Sequence, residues 1–307
     1  MKETVLSQAP TTPKRLRLKE VLFALELAQP DRAALAFLSE VFAQIPVQRL
    51  SFLHVLPATR YRLGFPESIS AEIIEELAVE ESVLVEMEGE IAVRFPSVES
   101  TLEVRHGDPL QELIAMAIRR NVDLTVIGQN TGTNRHGILA KNVARQISGD
   151  ALVIPDRTSA QLSRIVVPID FSENARRALE KAIQLSVGWP QPIPVSVVNV
   201  YELPDASVYK ISRQPGHFEK MLRENRLEAL DQFLSPYAEF GANLEVDLLR
   251  KEGLGLAAHI LKYTKEQAGD LIVIGAKGHS LVERFFLGSV TEKLVSTNHS
   301  CPTWIVK

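Results

Sequence analysis

Short apolar runs alternate with amphipathic stretches along this chain, and the whole order of the alternation occurs twice. Val21–Leu25 (VLFAL) and Ile165–Ile169 (IVVPI) are uninterrupted apolar runs, each followed at once by an acid, Glu26 or Asp170. Such runs predict strands buried on both faces. Ala34, Phe37, Leu38, Val41 and Phe42 then recur at helical spacing, as do Ala175, Ala178, Leu179, Ala182 and Ile183. Second strands are predicted at Leu50–Leu56 and Val195–Val200, followed in each half by a long Glu-rich helical region. Leu102–Arg105 before Gly107 matches Leu244–Leu249 before Gly253, and after a further helix DLTVIG (123–128) matches DLIVIG (270–275). Each half closes on one more apolar strand, Ala151–Ile154 or Thr303–Val306.

Strands alternating with helices imply parallel strands joined by right-handed crossovers, with helices on both sheet faces. The fold class is therefore α/β, as two tandem doubly wound parallel-sheet domains of Rossmann-like type. A length of 307 residues agrees, since one domain usually takes roughly 100–200. The expected organisation is a flexible tail over 1–17, a first domain over 18–156, a short polar linker over 157–163 and a second domain over 164–307. So short a linker implies domains packed together. The stretch Glu67–Glu90 reads as a helix with a solvated face, its interleaved Ile, Leu and Val covering the sheet.

Composition narrows the classes of function. A formal charge of −4 gives no overall attraction to nucleic acid or to an anionic membrane. Charges interrupt every hydrophobic run before the roughly 18 apolar residues that a bilayer span requires, and the first seventeen residues lack a signal-peptide apolar core. A soluble protein is expected, without nucleic-acid or membrane partners. The single cysteine, Cys301, cannot form an intramolecular disulfide, which fits a reducing, cytoplasmic location. The seven histidines show no metal-ligand spacing, so no metal site is expected from protein side chains alone. No G-x-S-x-G elbow and no P-loop occurs.

Ligands of open parallel sheets bind beyond the carboxyl ends of the strands, where strand order reverses. In the second half the strand ending at Ile274 is followed by GAKGHSLVERFFLGSVTEKLV, which holds Gly275, Gly278, Gly288 and Ser289. Glycines there can hold backbone conformations with positive φ, and they let backbone N–H groups approach an anion without a side chain intervening. Gly288 and Ser289 precede the helical run Val290–Val295, so unpaired N–H groups and the positive end of a helix dipole would face the same phosphate. The Ser289 and Thr291 hydroxyls could add hydrogen bonds or help to hold a divalent cation. Lys277 and His279 lie inside the loop, where they could reach the same anion or simply be solvated.

Gly275, Gly278, Gly288 and Ser289 fit the pattern G-x2-G-x9-G-(S/T), and with Val167-Pro168-Ile169-Asp170 followed by Phe171-Ser172-Glu173 the chain resembles the universal stress protein family. The likeness covers 164–307 and, more weakly, 18–156. It implies an adenine nucleotide alpha hydrolase-like fold that binds ATP, with magnesium. Pro168, Asp170 and Val200, the last through its backbone, would flank adenine and ribose; Gly275, Gly278, Gly288, Ser289, Val290 and Thr291 would hold phosphate. It also implies that single-domain members dimerise through their last strands, a contact that Ala151–Ile154 and Thr303–Val306 could make internally, with a further homodimer still open.

The first half departs from the pattern. Its loop reads GQNTGTNRHGILAKNVARQI, in which Gly128 persists, Asn130-Thr131 precede Gly132, and Ala140 and Lys141 are expected where the second half has Gly288 and Ser289. Glu26 replaces Asp170, and Ala24 replaces Pro168. The first domain is expected to be degenerate for nucleotide, although Arg135 and His136 could attract another anion. The expected function is a nucleotide-dependent regulator or adaptor of a stress response acting on an unknown protein partner. The alternatives are a weak ATPase or phosphotransfer enzyme, with His279 and Glu283 the candidates to place water, or a scaffold that no longer binds nucleotide.

Overall fold

A computed structural model of the chain describes residues 15–57, 71–132, 137–203, 215–238, 240, 242–278 and 286–307. The first half runs β1 (Leu18–Leu25), α1 (Gln29–Phe42), β2 (Val47–Pro57), α2 (Ala71–Arg94), β3 (Glu99–Gly107), α3 (Pro109–Arg119), β4 (Leu124–Gln129), α4 (Ile138–Gln146) and β5 (Asp150–Pro155). The second half repeats the order as β6 (Ile165–Pro168), α5 (Glu173–Ser186), β7 (Val195–Tyr201), α6 (Pro215–Leu234), β8 (Leu244–Arg250), α7 (Leu256–Glu266), β9 (Leu271–Gly275), α8 (Ser289–Thr297) and β10 (Thr303–Val306).

All ten strands form one sheet in the order β3-β2-β1-β4-β5-β10-β9-β6-β7-β8. Each half has the strand order of a doubly wound domain, reversing between β1 and β4 and between β6 and β9. Within each half the neighbours are parallel. The halves meet where β5 and β10 pair antiparallel, with Thr303 opposite Val153, Trp304 opposite Leu152 and Ile305 opposite Ala151. The last strands thus make their contact internally. Pairing them removes two sheet edges that would otherwise be open to other chains.

Alternation along the strands decides which helices cover which face. Val21, Phe23 and Leu25 pack with Leu35, Leu38, Leu179 and Ile183 of α1 and α5, while Leu22, Ala24, Val153 and Ile305 pack with Met116, Val143, Ile260 and Leu294 of α3, α4, α7 and α8. Both layers cross the domain boundary.

The ends of the first domain are more tightly held than a tail and a loose linker would be. Leu16, within the expected tail, is buried, and its N–H donates to the Gln184 carbonyl of α5 at 3.4 Å. Leu162 in the linker is buried as well, and Ser163 donates to Asp270 through its N–H at 2.8 Å and its hydroxyl at 2.6 Å. Residues 1–14 of the tail lie outside the described residues. In α2, Met87 and Ile91 reach the core while Val85 and Val93 face solvent.

Candidate functional site

The site grows from the turn that follows β6. Ile169 continues the ladder by donating its N–H to the Val198 carbonyl at 2.8 Å, and Asp170 Oδ1 then accepts from the Ser172 N–H at 3.0 Å. Phe171 between them is left-handed, with φ +65°. Ser172 is the N-cap of α5, its Oγ accepting from the Ala175 N–H at 3.2 Å. This division of work leaves the Asp170 carboxylate at the mouth of the switch point and exposed. Leu27 in the first half is left-handed at the matching place, φ +57°, so both domains use the same turn.

Across the switch point, the end of β9 and the start of α8 close the other wall. None of the three glycines here, Gly275, Gly278 and Gly288, uses the positive φ open to glycine. Gly275 is needed for packing, since a Cβ there would lie 2.8 Å from the Asn174 backbone. At Gly278 a Cβ would come within 2.5 Å of Asp170 Oδ2, so the missing side chain lets the loop close over that carboxylate. Gly288 has ordinary extended angles, φ −61° and ψ 146°, and a Cβ there would meet no atom of the described residues closer than 3.4 Å. The fold itself does not demand glycine at that position.

Gly288 is the N-cap of α8 and donates its own N–H to the Ala276 carbonyl at 2.8 Å. The next three N–H groups, of Ser289, Val290 and Thr291, are the orphan donors of a helix start and find no acceptor among the described residues. The Thr291 hydroxyl is not available to a ligand as expected: it is buried and donates to the Gly275 carbonyl at 2.9 Å, tying the helix start to the strand end. Ser289 is exposed at the mouth.

Between these walls lies a cavity of about 520 Å³ whose lining includes Pro168, Asp170, Val200, Gly275, Gly278, Gly288, Ser289, Val290 and Thr291. All nine positions singled out from the sequence therefore meet on one surface, and Lys277 joins them. His279 and Glu283 lie outside the described residues. Pro168, Val198, Ile260 and Ile274 make one apolar wall, and Arg226 of α6 stands at the rim with its guanidinium 5.7 Å from the Phe171 ring centre.

Asn199 and Arg226 were missed by sequence reasoning. Asn199 donates from Nδ2 to the Ile169 carbonyl at 2.7 Å, while its buried Oδ1 has no partner among the described residues. A polar residue inside the apolar run VSVVNV was a signal for it; nothing marked Arg226 among the charges of its helix. The lone Cys301 is buried, and burial pushes its thiol up, which removes it as a nucleophile.

The first domain carries a different set of groups at its own switch point. The α4 helix begins directly after Gly137, and its buried residues Ala140, Val143 and Ala144 match Thr291, Leu294 and Val295 of α8. Gly137, not Ala140, therefore stands where Gly288 stands, and Ile138 replaces Ser289. The expected matching of Ala140 and Lys141 to Gly288 and Ser289 is three residues out of phase, because the loop before α4 is shorter. Lys141 lies one turn into the helix and faces the other domain, where Glu292 is 3.9 Å from it and 2.7 Å from Arg145. Arg135 and His136 lie outside the described residues.

Two acids, Asp31 and Glu26, gather there. Asp31 is fully buried, its Oδ2 accepting from the N–H groups of Glu26 at 3.0 Å and Ala28 at 3.2 Å, and its Oδ1 without a partner among the described residues. Burial, reinforced by the charge of Glu26, pushes its pKa up to about 7 against the pull of the backbone donors. Burial also raises Glu26. A Cβ at Gly128 would sit 3.2 Å from Asp31 Oδ1.

Comparisons with known proteins agree with this architecture. The sequence model of the Universal stress protein family matches twice, over residues 17–155 and 162–307. Universal stress protein MJ0531 of Methanocaldococcus jannaschii is 30% identical over 147 residues, which cover 47% of this chain and 81% of that protein. Universal stress protein YxiE of Bacillus subtilis is 30% identical over 152 residues, covering 47% of this chain and 99% of that one. Among solved structures, a universal stress protein from Archaeoglobus fulgidus superposes with a TM-score of 0.65 at 20% identity, covering 94% of this chain and 98% of its own, a likeness of fold.

Proposed function

The chain belongs to the universal stress protein family, and on that premise we propose that its second domain binds an adenine nucleotide, ATP with magnesium, and that occupancy makes the protein a cytoplasmic regulator or adaptor of a stress response acting on a protein partner. The observation that carries the proposal is the open start of α8: three N–H groups without acceptors converge beside Gly288, whose missing side chain the fold does not need. Phosphate fits such a place through hydrogen bonds and the helix dipole together. A cavity of about 520 Å³ is within the range of small-ligand sites.

The strand order supplies the orientation. Phosphate over β9 and α8 leaves the base over β7, two strands away or roughly 10 Å, against Pro168, Val198 and Ile260, with Asp170 between for the ribose. No cluster of three or more metal-ligating acids, histidines or cysteines occurs among the described residues. Magnesium would accordingly be held by phosphate oxygens and water, with Ser289 as the protein hydroxyl within reach. The first domain would leave nucleotide alone, since buried Asp31 and neighbouring Glu26 repel phosphate and Ile138 offers no hydroxyl.

Calorimetry on the intact chain with ATP, ADP and AMP in the presence of magnesium tests this reading. One ATP per chain is expected. Two would restore the first domain as a nucleotide site, and none would remove the proposal.

A further inference from the structure

A second cavity, of about 380 Å³, opens where the two domains meet, among the start of β1, the loops before β4 and β5, helix α5 and the residue after β10. Its wall carries three cations, Arg17, Lys181 and Lys307, and two carboxylates, Asp123 and Asp150. Both carboxylates are already engaged. Asp123 Oδ2 accepts from the N–H groups of Lys19 at 2.5 Å and Glu20 at 3.2 Å. Asp150 accepts from the Trp304 indole at 3.0 Å and the Lys307 N–H at 3.1 Å, and pairs with the Lys181 ammonium at 3.0 Å.

Of the three cationic side chains, Lys181 is the one matched by this pairing. Among the described residues neither Arg17 nor the Lys307 ammonium forms an ion pair. Burial pulls the Lys307 pKa down to about 8, repulsion from Lys277 lowers it further, and Asp150 offsets this only in part.

The backbone positions of the three cations are fixed by buried neighbours. Arg17 lies between Leu16 and Leu18, both buried. Lys181 rides on α5 beside buried Leu179 and Ala182. Lys307 follows Val306, which is buried and whose carbonyl accepts from Ala276 at 2.8 Å. Three segments from both domains thus bring these cationic residues to the wall of one cavity.

We propose that this junction is a binding site for a small, multiply charged oxyanion of the phosphate class, separate from the nucleotide cavity and shared by the two domains. The polar wall and modest volume suit a compact ion with its water. Arg17 can meet two oxygens with its planar fork, while Lys307 and Lys181 act as point charges.

The test is titration of the intact Gly288→Val protein, whose phosphate cradle is blocked, with inorganic phosphate at constant ionic strength. Saturable binding is expected, weakened about 10-fold or more by Lys307→Met and again by Arg17→Met introduced separately, with circular dichroism unchanged. Lys307 lies beyond the last strand and Arg17 is exposed, so neither change disturbs the core. Absence of saturable binding overturns the proposal. So does binding that survives both substitutions, or binding that wild type shows and Gly288→Val abolishes, because the anion then belongs to the general surface or to the nucleotide cavity.

Discussion

The indole of Trp304, in the last strand of the second domain, donates to Asp150 Oδ2 at the start of the last strand of the first, at 3.0 Å and out of contact with solvent. The same carboxylate takes the Lys307 N–H and the Lys181 ammonium. One acid of the first domain therefore satisfies three donors of the second. Removing it leaves a buried indole N–H and a partly buried charge without partners, at a cost of about 2–4 kcal/mol. Asp150→Ala should lower the stability of the whole chain by that amount in urea unfolding. A loss below about 0.5 kcal/mol would mean that strand pairing alone joins the domains.

Gly288→Val separates ligand from fold. The backbone angles at Gly288 suit any residue, and the nearest protein atoms leave room for a Cβ. The variant should therefore unfold within about 1 kcal/mol of wild type and yet lose ATP binding in calorimetry. A well-folded variant with unchanged affinity would show that phosphate does not dock at the start of α8.

The two domains provide a matched control at their first acids. Asp170 lines the cavity, whereas Glu26 lies beside Asp31 in the other domain. One hydrogen bond to a neutral ligand group contributes roughly 0.5–1.5 kcal/mol, so Asp170→Ala should weaken ATP binding by about 2- to 12-fold. Glu26→Ala should leave the affinity nearly unchanged. Equal losses in the two variants would place the nucleotide across the domains instead.

Asp31 makes stability depend on pH in an unusual direction. Its folded pKa, about 7, lies above its ordinary value of 3.8, so between these limits the folded state holds more protons than the unfolded state. Stability from this group therefore falls as pH rises through that window, with the full penalty present above it. A shift of this size is worth on the order of 3–5 kcal/mol. Asp31→Asn keeps an acceptor for the Glu26 and Ala28 N–H groups but leaves a buried amide to satisfy, which returns about 1–3 kcal/mol of the gain. The stability difference between the variant and wild type should move in favour of the variant from pH 5 to pH 8. A difference that is constant with pH would show that Asp31 does not titrate in this range.

Much of this was written locally. The apolar runs, their repetition and the two matching segments DLTVIG and DLIVIG determine a twofold doubly wound fold, because a strand buried on both faces needs continuous apolar residues and a crossover helix needs its own period. The nine positions lining the switch-point cavity were legible for a related reason: in such a sheet the residues just after the strands must gather at the switch point.

Contacts between distant segments were decided only in the tertiary structure. The true phase of α4 depends on which of its faces is buried against the other domain, so no count of residues from Gly128 could place Gly137 opposite Gly288. The Thr291 hydroxyl is spent on the Gly275 carbonyl, 16 residues earlier in the chain. Asp31 is an unremarkable first-turn acid in sequence and becomes a perturbed one only because packing removes it from water. Asp150 and Trp304 are 154 residues apart, and their hydrogen bond exists because two independent strands pair antiparallel at the centre of the sheet. Local pattern determined what each segment becomes; burial and long-range pairing decided which polar groups remain for a ligand.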